Sequence, residues 1–476
     1  MMSGRPAHVT IVRDGTVWTG GAAPRLLPGH DVVVVDGVVA AIEPGYRGPV
    51  TEDIDAGGCL VAPGLINAHV HPGTSPRSRG LAEDSEVVED GAYYHLTLPV
   101  QLVAGEVLDA ADIAAVTEWD TVAMLLGGAT TIVGEYFGSA EHWIPLIDRL
   151  GFRAQLGLTY PSRLGAIGFL KDGRIVSSDP GDVGADLEAA LRLHDTHDGT
   201  LDGRLRIHLS PHGPDTVPEE VLRATKRHCA ERGIHAHLHL GQHLAECRAI
   251  EARYGVSPVR YLHNIGFLGP DVMATHVTYV DEADIGLLAD SGTHAVHCSY
   301  RKAKEGITSP FWEFLARGVN VAIATDSFSH DLVLDLKLAC LLGKIRSGSV
   351  ARPSARQALT CATHGAALAL GRPDLGTLEP GARGDLIVVR LESPFTAPVF
   401  DPLRAFVYYG SASDIRHTLV EGRPVVRDGA VIGVDIAALR RRANDACHRL
   451  WERAALRGVL PAGTDYGGCV CGHRSS

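Results

Sequence analysis

A chain of 476 residues, 45% apolar and 21% charged, is long enough for a large core and more than one domain, and has the make-up of a globular enzyme. Its formal net charge of −12 argues against broad contact with a phosphate backbone, so no nucleic-acid partner is expected. No apolar run approaches the ~18 residues of a membrane span, the start Met1-Met2-Ser3-Gly4-Arg5 lacks an apolar signal segment, and nine scattered cysteines make no disulfide framework; a cytoplasmic protein without membrane contact is expected.

The first segment, Val9–Asp55, carries short alternating runs closed by turns, among them Val9-Thr-Ile-Val12 and Asp31-Val-Val-Val-Val35. Gly376–Val434 reads the same way, through Gly384-Asp-Leu-Ile-Val-Val389 and His417-Thr-Leu-Val420. Neither is long enough for a comfortable core alone. The two are expected to pair into one discontinuous β-sandwich, residues 1–60 and 376–434, beside a central domain of residues 61–375.

The central domain alternates apolar runs with amphipathic stretches. The runs are Leu65–His71, Thr130–Glu135, Arg153–Thr159, Arg204–Ser210, Gly233–Leu240, Val272–Tyr279, Thr293–Ser299 and Asn320–Asp326. Between them, segments such as Glu219–Glu231 and Asp281–Asp290 have apolar residues at three- and four-residue spacing, which predicts helices. Eight strand–helix alternations predict an α/β fold of the TIM-like (β/α)8 kind. An open doubly wound sheet is the competing architecture, but no Gly-x-Gly-x-x-Gly follows the first strand. Residues 435–458 predict a helix with an Arg-rich solvated face, and 459–476 a tail. Cys469-Val-Cys471-Gly-His473 in that tail is too few ligands for a usual structural zinc site.

Polar residues gather at the ends of the predicted strands. His69 and His71 close the first run, two apart and so on one face. In a chain of 24 histidines one such pair is weak evidence. His239 lies near the end of the fifth run, His276 on the sixth, and Asp326 ends the eighth. In a barrel those ends share one mouth. Four imidazoles and a carboxylate buried together would be costly without an ion to satisfy them, so a metal site is expected.

With these residues in place, the chain resembles the amidohydrolase superfamily, in particular the branch of cytosine, guanine and S-adenosylhomocysteine deaminases and the triazine hydrolases. The resemblance rests on Gly57-Gly58-x-Leu60-Val-Ala-Pro-Gly-Leu-Ile-Asn-Ala-His-Val-His71, Gly127-Gly-Ala-Thr-Thr131, Ala322-Ile-Ala-Thr-Asp326 and Gly376-Thr-Leu-Glu-Pro-Gly-Ala-Arg-Gly-Asp-Leu-Ile-Val-Val389. It implies a barrel with a composite β-sandwich, and one divalent metal on His69, His71, His239, His276 and Asp326. Zinc is favoured over ferrous iron, although these ligand types do not separate the two. No lysine ends the fourth run to bridge a second ion. The implied activity is hydrolysis of a non-peptide C–N bond in a small heterocycle, as in a deaminase. Ring opening of a cyclic amide, or another hydrolytic displacement, is the alternative. Asp326 would take a proton from the attacking water, His297 would polarise the substrate, and His212, in Ser210-Pro-His-Gly-Pro214, matches the family's substrate-binding histidine. A homo-oligomer is expected.

The chain departs from the family at the fifth run, His235-Ala-His237-Leu-His239-Leu-Gly-Gln242-His243-Leu-Ala-Glu246. Typical deaminases carry a proton-shuttling glutamate three residues after the metal histidine. In one register His239 binds metal and Gln242 takes that position; in the other His243 binds metal and Glu246 is the shuttle. The alternating run ends at Gly241, which favours the first. Gln242 then counts among the catalytic positions, although an amide cannot shuttle a proton near neutral pH. Glu135, at the end of the second run, and Gln101, in the loop after the first, are candidates for substrate contact. That loop also holds Arg77, Arg79, Glu83, Asp84 and His95, while Arg301, Lys302 and Lys304 add positive charge after the seventh run.

Overall fold

In the computed structural model the described residues are 7–81, 83, 97–138, 140–163, 169–171, 174–176 and 179–460. Asp84, His95 and the cysteine-bearing tail lie outside them.

Eight parallel strands follow one another around a barrel in chain order. They are strand one (Leu65–Val70), two (Ala129–Tyr136), three (Arg153–Tyr160), four (Leu205–Pro211), five (Ala236–Leu240), six (Val272–His276), seven (His294–His297) and eight (Val321–Ile323). A parallel bridge between Val70 and Asp326 joins the first strand to the residues after the last. Asn67 reinforces that seam, donating to Thr325 Oγ1 at 2.8 Å and accepting the Thr325 N–H at 3.1 Å. Parallel strands are covered on both faces, which is why they read as nearly continuous apolar runs. Ile66, Ala68, Val133, Met273, Val296 and Ala322 pack together on the inner side. Leu65, Ile132, Ala274, Ala295 and Val321 join the larger core under the helices.

The helices start and stop where the sequence supplies caps. Glu282–Ser291 opens on a capping box in which Asp281 and Asp284 each accept the other's backbone N–H. It ends on Gly292, whose φ of +74° is the left-handed conformation glycine adopts without strain.

The two flanking segments share one nine-stranded mixed sheet. Cys59–Pro63 pairs in parallel with Val9–Trp18 and antiparallel with Leu386–Arg390, so it joins the N-terminal part to the C-terminal part. Val12, Val17, Val32, Val34, Val61, Leu386, Val388 and Leu419 form the enclosed core of this sheet. Arg153 of strand three fastens the barrel to it, lying 2.6 Å from Asp385 and 2.8 Å from Glu421.

Helix Ile436–Leu456, capped by Asp435, buries Leu439, Ala443, Ala446, Cys447, Leu450 and Ala454 against Val100, Val103 and Val116. Arg440, Arg441, Arg442, Arg449 and Arg453 stay exposed. Among the described residues no helix is long and apolar enough to cross a membrane.

Candidate active site

Strand one reaches the barrel mouth through a one-residue irregularity. Asn67 is opposite Ile132 and Val70 opposite Gly134, so three steps on one strand meet two on the other. Such a bulge reverses the facing of the residues beyond it. Ile66 and Ala68 point inward, and after the bulge so do His69 and His71, while Val70 joins the outer core.

The other donors arrive from the far side. His239 Nε2 lies 3.4 Å from His71 Nε2. His71 Nε2 is 3.9 Å from Asp326 Oδ1, and His276 Nε2 is 3.7 Å from Asp326 Oδ2. His69, His276 and Asp326 offer donor atoms within 4.8 Å of one another. Ligands about 2.1 Å from a tetrahedral zinc are about 3.4 Å apart, so the cluster has the size of a site for one ion. Its chemistry fits too. Burial holds His69, His71, His239 and His276 below the ordinary imidazole value of 6.5, which leaves neutral rings, the form that ligates. Neither His69 nitrogen has a hydrogen-bond partner among the described residues. His239 Nδ1 is fixed by the His212 carbonyl at 3.0 Å, the outer-shell contact that orients a metal-binding imidazole.

Two of the five donors sit on strained backbone. His276 has φ of +76° and Asp326 +57°, where residues other than glycine are uncommon. The conformation costs on the order of 1–3 kcal/mol at each and turns the side chain into the mouth. Asp326 is held by Ser327, whose hydroxyl donates to Oδ1 at 2.8 Å, and by Arg301, whose Nε lies 3.4 Å from Oδ2.

His71, Phe137, His212, His239, Gln242, His276, Arg301, Asp326 and Ser327 line the pocket over these donors. Through His71, Phe137 and Ser327 it adjoins a cavity of about 590 Å³. Gln101, Arg77, Leu102, Ile113 and His142 line that cavity, and Glu135 reaches it from below. His212 lines the pocket, its Nδ1 3.0 Å from Thr216 Oγ1. Glu135 lies deeper than a residue at the mouth, 3.3 Å from His237 Nδ1 and 3.9 Å from His69 Nδ1.

His297 does not join the site. Val296 and Cys298 belong to the inner core, so period-two alternation turns His297 outward. Its ring stacks on Phe311 at 4.9 Å and 19°, and burial lowers its pKa to about 4. The polarising role read for it from the sequence is corrected on this ground.

Phe137 was not found by sequence reasoning. Its ring lies 6.3 Å from that of His71, inclined by 25°, and offers the pocket a flat apolar wall. Its place just beyond the polar end of strand two was the only signal. Asp120 was also missed. It accepts the Gly73 N–H at 2.8 Å and lies 3.1 Å from His330 Nε2, holding the turn after His71.

A family model described as the amidohydrolase family matches residues 60–425. The 5-methylthioadenosine/S-adenosylhomocysteine deaminase of Haloarcula marismortui is 34% identical over 423 residues, which are 88% of this chain and 92% of the relative. The 5'-deoxyadenosine deaminase of Methanosarcina acetivorans is 30% identical, covering 93% of this chain and 99% of the relative. Among solved structures, an adenosine deaminase from Xanthomonas campestris with bound zinc superimposes with a TM-score of 0.81 at 26% identity, covering 93% of this chain and 98% of that one. The atrazine chlorohydrolase TrzN from Arthrobacter aurescens TC1, complexed with zinc, gives 0.81 at 26% identity, covering 92% and 99%.

Proposed function

The chain belongs to the amidohydrolase family, and from that membership we propose that it hydrolyses a C–N bond at a ring carbon of a small nitrogen heterocycle, releasing ammonia or an amine. The observation that carries the reading is the convergence of His69, His71, His239, His276 and Asp326 beneath a pocket walled by Phe137. A divalent metal on those donors would supply the acidity that makes water a nucleophile near neutral pH. Zinc is our choice, since it accepts imidazole and carboxylate ligands and accompanies the solved neighbours.

Asp326 takes one proton from the attacking water. A C–O bond forms at the ring carbon, the C–N bond breaks, and the proton held by Asp326 goes to the departing nitrogen. Arg301 Nε, 3.4 Å from Asp326 Oδ2, helps to hold that carboxylate in place. Phe137 offers a face for a planar ring, and His212 and Gln242 offer hydrogen bonds to its edge. Gln101 and Arg77 line the space where a larger substituent would extend.

Gln242 favours a second reading, ring opening or displacement of a group that leaves without added protonation. Among the described residues, Asp326 is the only carboxylate lining the metal pocket. Nucleobases of the cytosine, guanine and adenosine type need ring protonation during attack, so we expect them to be poor substrates. We also propose that the protein works as a homo-oligomer in the cytoplasm, where its seven described cysteines, none of them in a disulfide, would stay reduced.

The test is a panel of heterocyclic amines, triazines, adenosine derivatives and cyclic amides, read by ammonia release and product mass. Ammonia with an oxygen-for-nitrogen mass change supports the first reading. Gain of one water without ammonia supports ring opening. No change on any substrate, with metal bound, would overturn both.

A further inference from the structure

Beneath the five donors lies a second group that the proposed reaction does not use. Glu135 of strand two, His208 of strand four and His237 of strand five are all buried. His237 Nδ1 is 3.3 Å and His208 Nε2 3.9 Å from Glu135 Oε1, and one donor atom from each residue lies within 4.8 Å of the others.

The polar atoms are not satisfied by one another. Among the described residues, His237 Nδ1, both nitrogens of His208 and both oxygens of Glu135 lack a partner of hydrogen-bond geometry. The Ser210 hydroxyl, itself 3.3 Å from Thr159 Oγ1, favours the charged carboxylate, against burial and the negative charge of Asp326. At 3.3 Å the His237–Glu135 distance would allow a hydrogen bond, but the direction does not. That arrangement suits two ligands of a common ion better than a donor and an acceptor. The outer nitrogen of His237 is occupied, with Nε2 2.6 Å from Thr275 Oγ1. This leaves Nδ1 as the atom turned toward Glu135, as in a ligand fixed from behind.

The backbone makes room for the same group. A Cβ at Gly157 would stand 2.3 Å from His208 Nε2 and 2.8 Å from the Ser210 Cβ. Only glycine leaves space for the His208 ring there. A carboxylate set among imidazoles and cut off from water is unfavourable until a cation or a proton neutralises it. The group adjoins the first five donors through Glu135, whose carboxylate also lies 4.0 Å from His239 Nδ1 and within 4.8 Å of donor atoms of His69, His71 and His239. It meets His69 through Nδ1, at 3.9 Å, whereas His71, His239 and His276 turn their Nε2 atoms to the upper cluster.

We propose that Glu135, His208 and His237 form a second, deeper site for a divalent metal ion. Two imidazoles and one carboxylate suit zinc, with a water completing the shell. The ion would neutralise Glu135 and place a fixed positive charge under the reaction site.

The test uses the full chain saturated with zinc, with metal content measured by mass spectrometry and crystals examined at the zinc absorption edge. Two ions per chain are expected, with anomalous peaks beside Asp326 and between Glu135, His208 and His237. His208→Asn should remove the lower peak and reduce the count by one, leaving the upper peak. Glu135→Gln should act in the same direction, and Asp326→Asn should weaken the upper peak first. A single upper peak in the wild-type crystal overturns the proposal even if His208→Asn fails to fold. So does a second peak elsewhere, for instance at Cys469 and Cys471. The map is independent of any substrate, so an inactive panel would count against the proposed function and not against this site.

Discussion

Glu246 accepts the backbone N–H of Gln242 at 2.8 Å through one carboxylate oxygen and that of Gly241 at 2.8 Å through the other. The acid one helical turn beyond Gln242 is thus engaged in holding the loop that presents Gln242 to the pocket. Lys302 grips the same residue from the opposite side, donating to its carbonyl at 2.7 Å. It is the His239 ring that meets His71, and His243 stands at the N-terminal cap of the next helix.

His69→Ala and His239→Ala should each empty the site beside Asp326, lowering zinc content by about one ion per chain. His243→Ala should keep it. Metal analysis of dialysed proteins decides, and the reverse pattern would return His243 and Glu246 to the ligand and shuttle roles.

Asp326→Asn should cut turnover by about 10²–10⁴-fold, the usual worth of a positioned proton acceptor, while circular dichroism stays that of the wild type. His297→Gln should lose only its stacking on Phe311, about 0.5–1.5 kcal/mol, with turnover within about tenfold of wild type. A turnover loss for His297→Gln as deep as that for Asp326→Asn would restore its catalytic role.

Gln242→Glu should raise ammonia release from adenosine derivatives by about 10²-fold, in kcat more than in KM, because it adds an ionisable group to the metal pocket. An unchanged rate, with metal retained, would mean that the amide is not what restricts the substrate.

Arg153 is 1% exposed and compensates Asp385 and Glu421 between barrel and sheet. Arg153→Met would leave the buried Asp385 carboxylate without its cation, while Glu421 keeps Arg383 at 3.3 Å, and should destabilise the chain by about 3–5 kcal/mol. Urea unfolding provides the measurement, and a loss below about 1 kcal/mol would show that water reaches the pair.

Burial, and then the neighbouring Asp215, raise the Glu246 carboxyl above its ordinary value of 4.5, against the pull of the backbone N–H groups. The folded state therefore holds the proton more tightly than the unfolded chain. This contribution to stability is complete below the ordinary carboxylate value and is lost as pH rises through the folded value. Melting temperatures measured upward from pH 4.5 should decline less in Glu246→Gln than in the wild type, and parallel curves would refute the shift.

The sequence by itself determined what short-range physics encodes. Apolar runs such as Arg153–Tyr160, buried on both faces, read as barrel strands because a covered parallel sheet leaves no alternation. Asp281–Asp290 read as a helix because its apolar residues recur at three- and four-residue spacing, and in the structure that helix opens on the Asp281 cap. His69, His71, His239, His276 and Asp326 were legible because each ends or adjoins a run, and the barrel brings strand ends to one mouth. Only the tertiary structure decided which way neighbouring residues face. A one-residue bulge between Asn67 and Val70 turns His69 inward, while unbroken alternation turns His297 outward onto Phe311. Side-chain facing has a period of two, so one inserted residue reverses it without changing the composition of the run. The pairing of Cys59–Pro63 with Leu386–Arg390, and the meeting of Glu135 with His208 and His237, join segments far apart in the chain. No local pattern carries such contacts, because they arise from barrel closure and from backbone hydrogen bonds between strands.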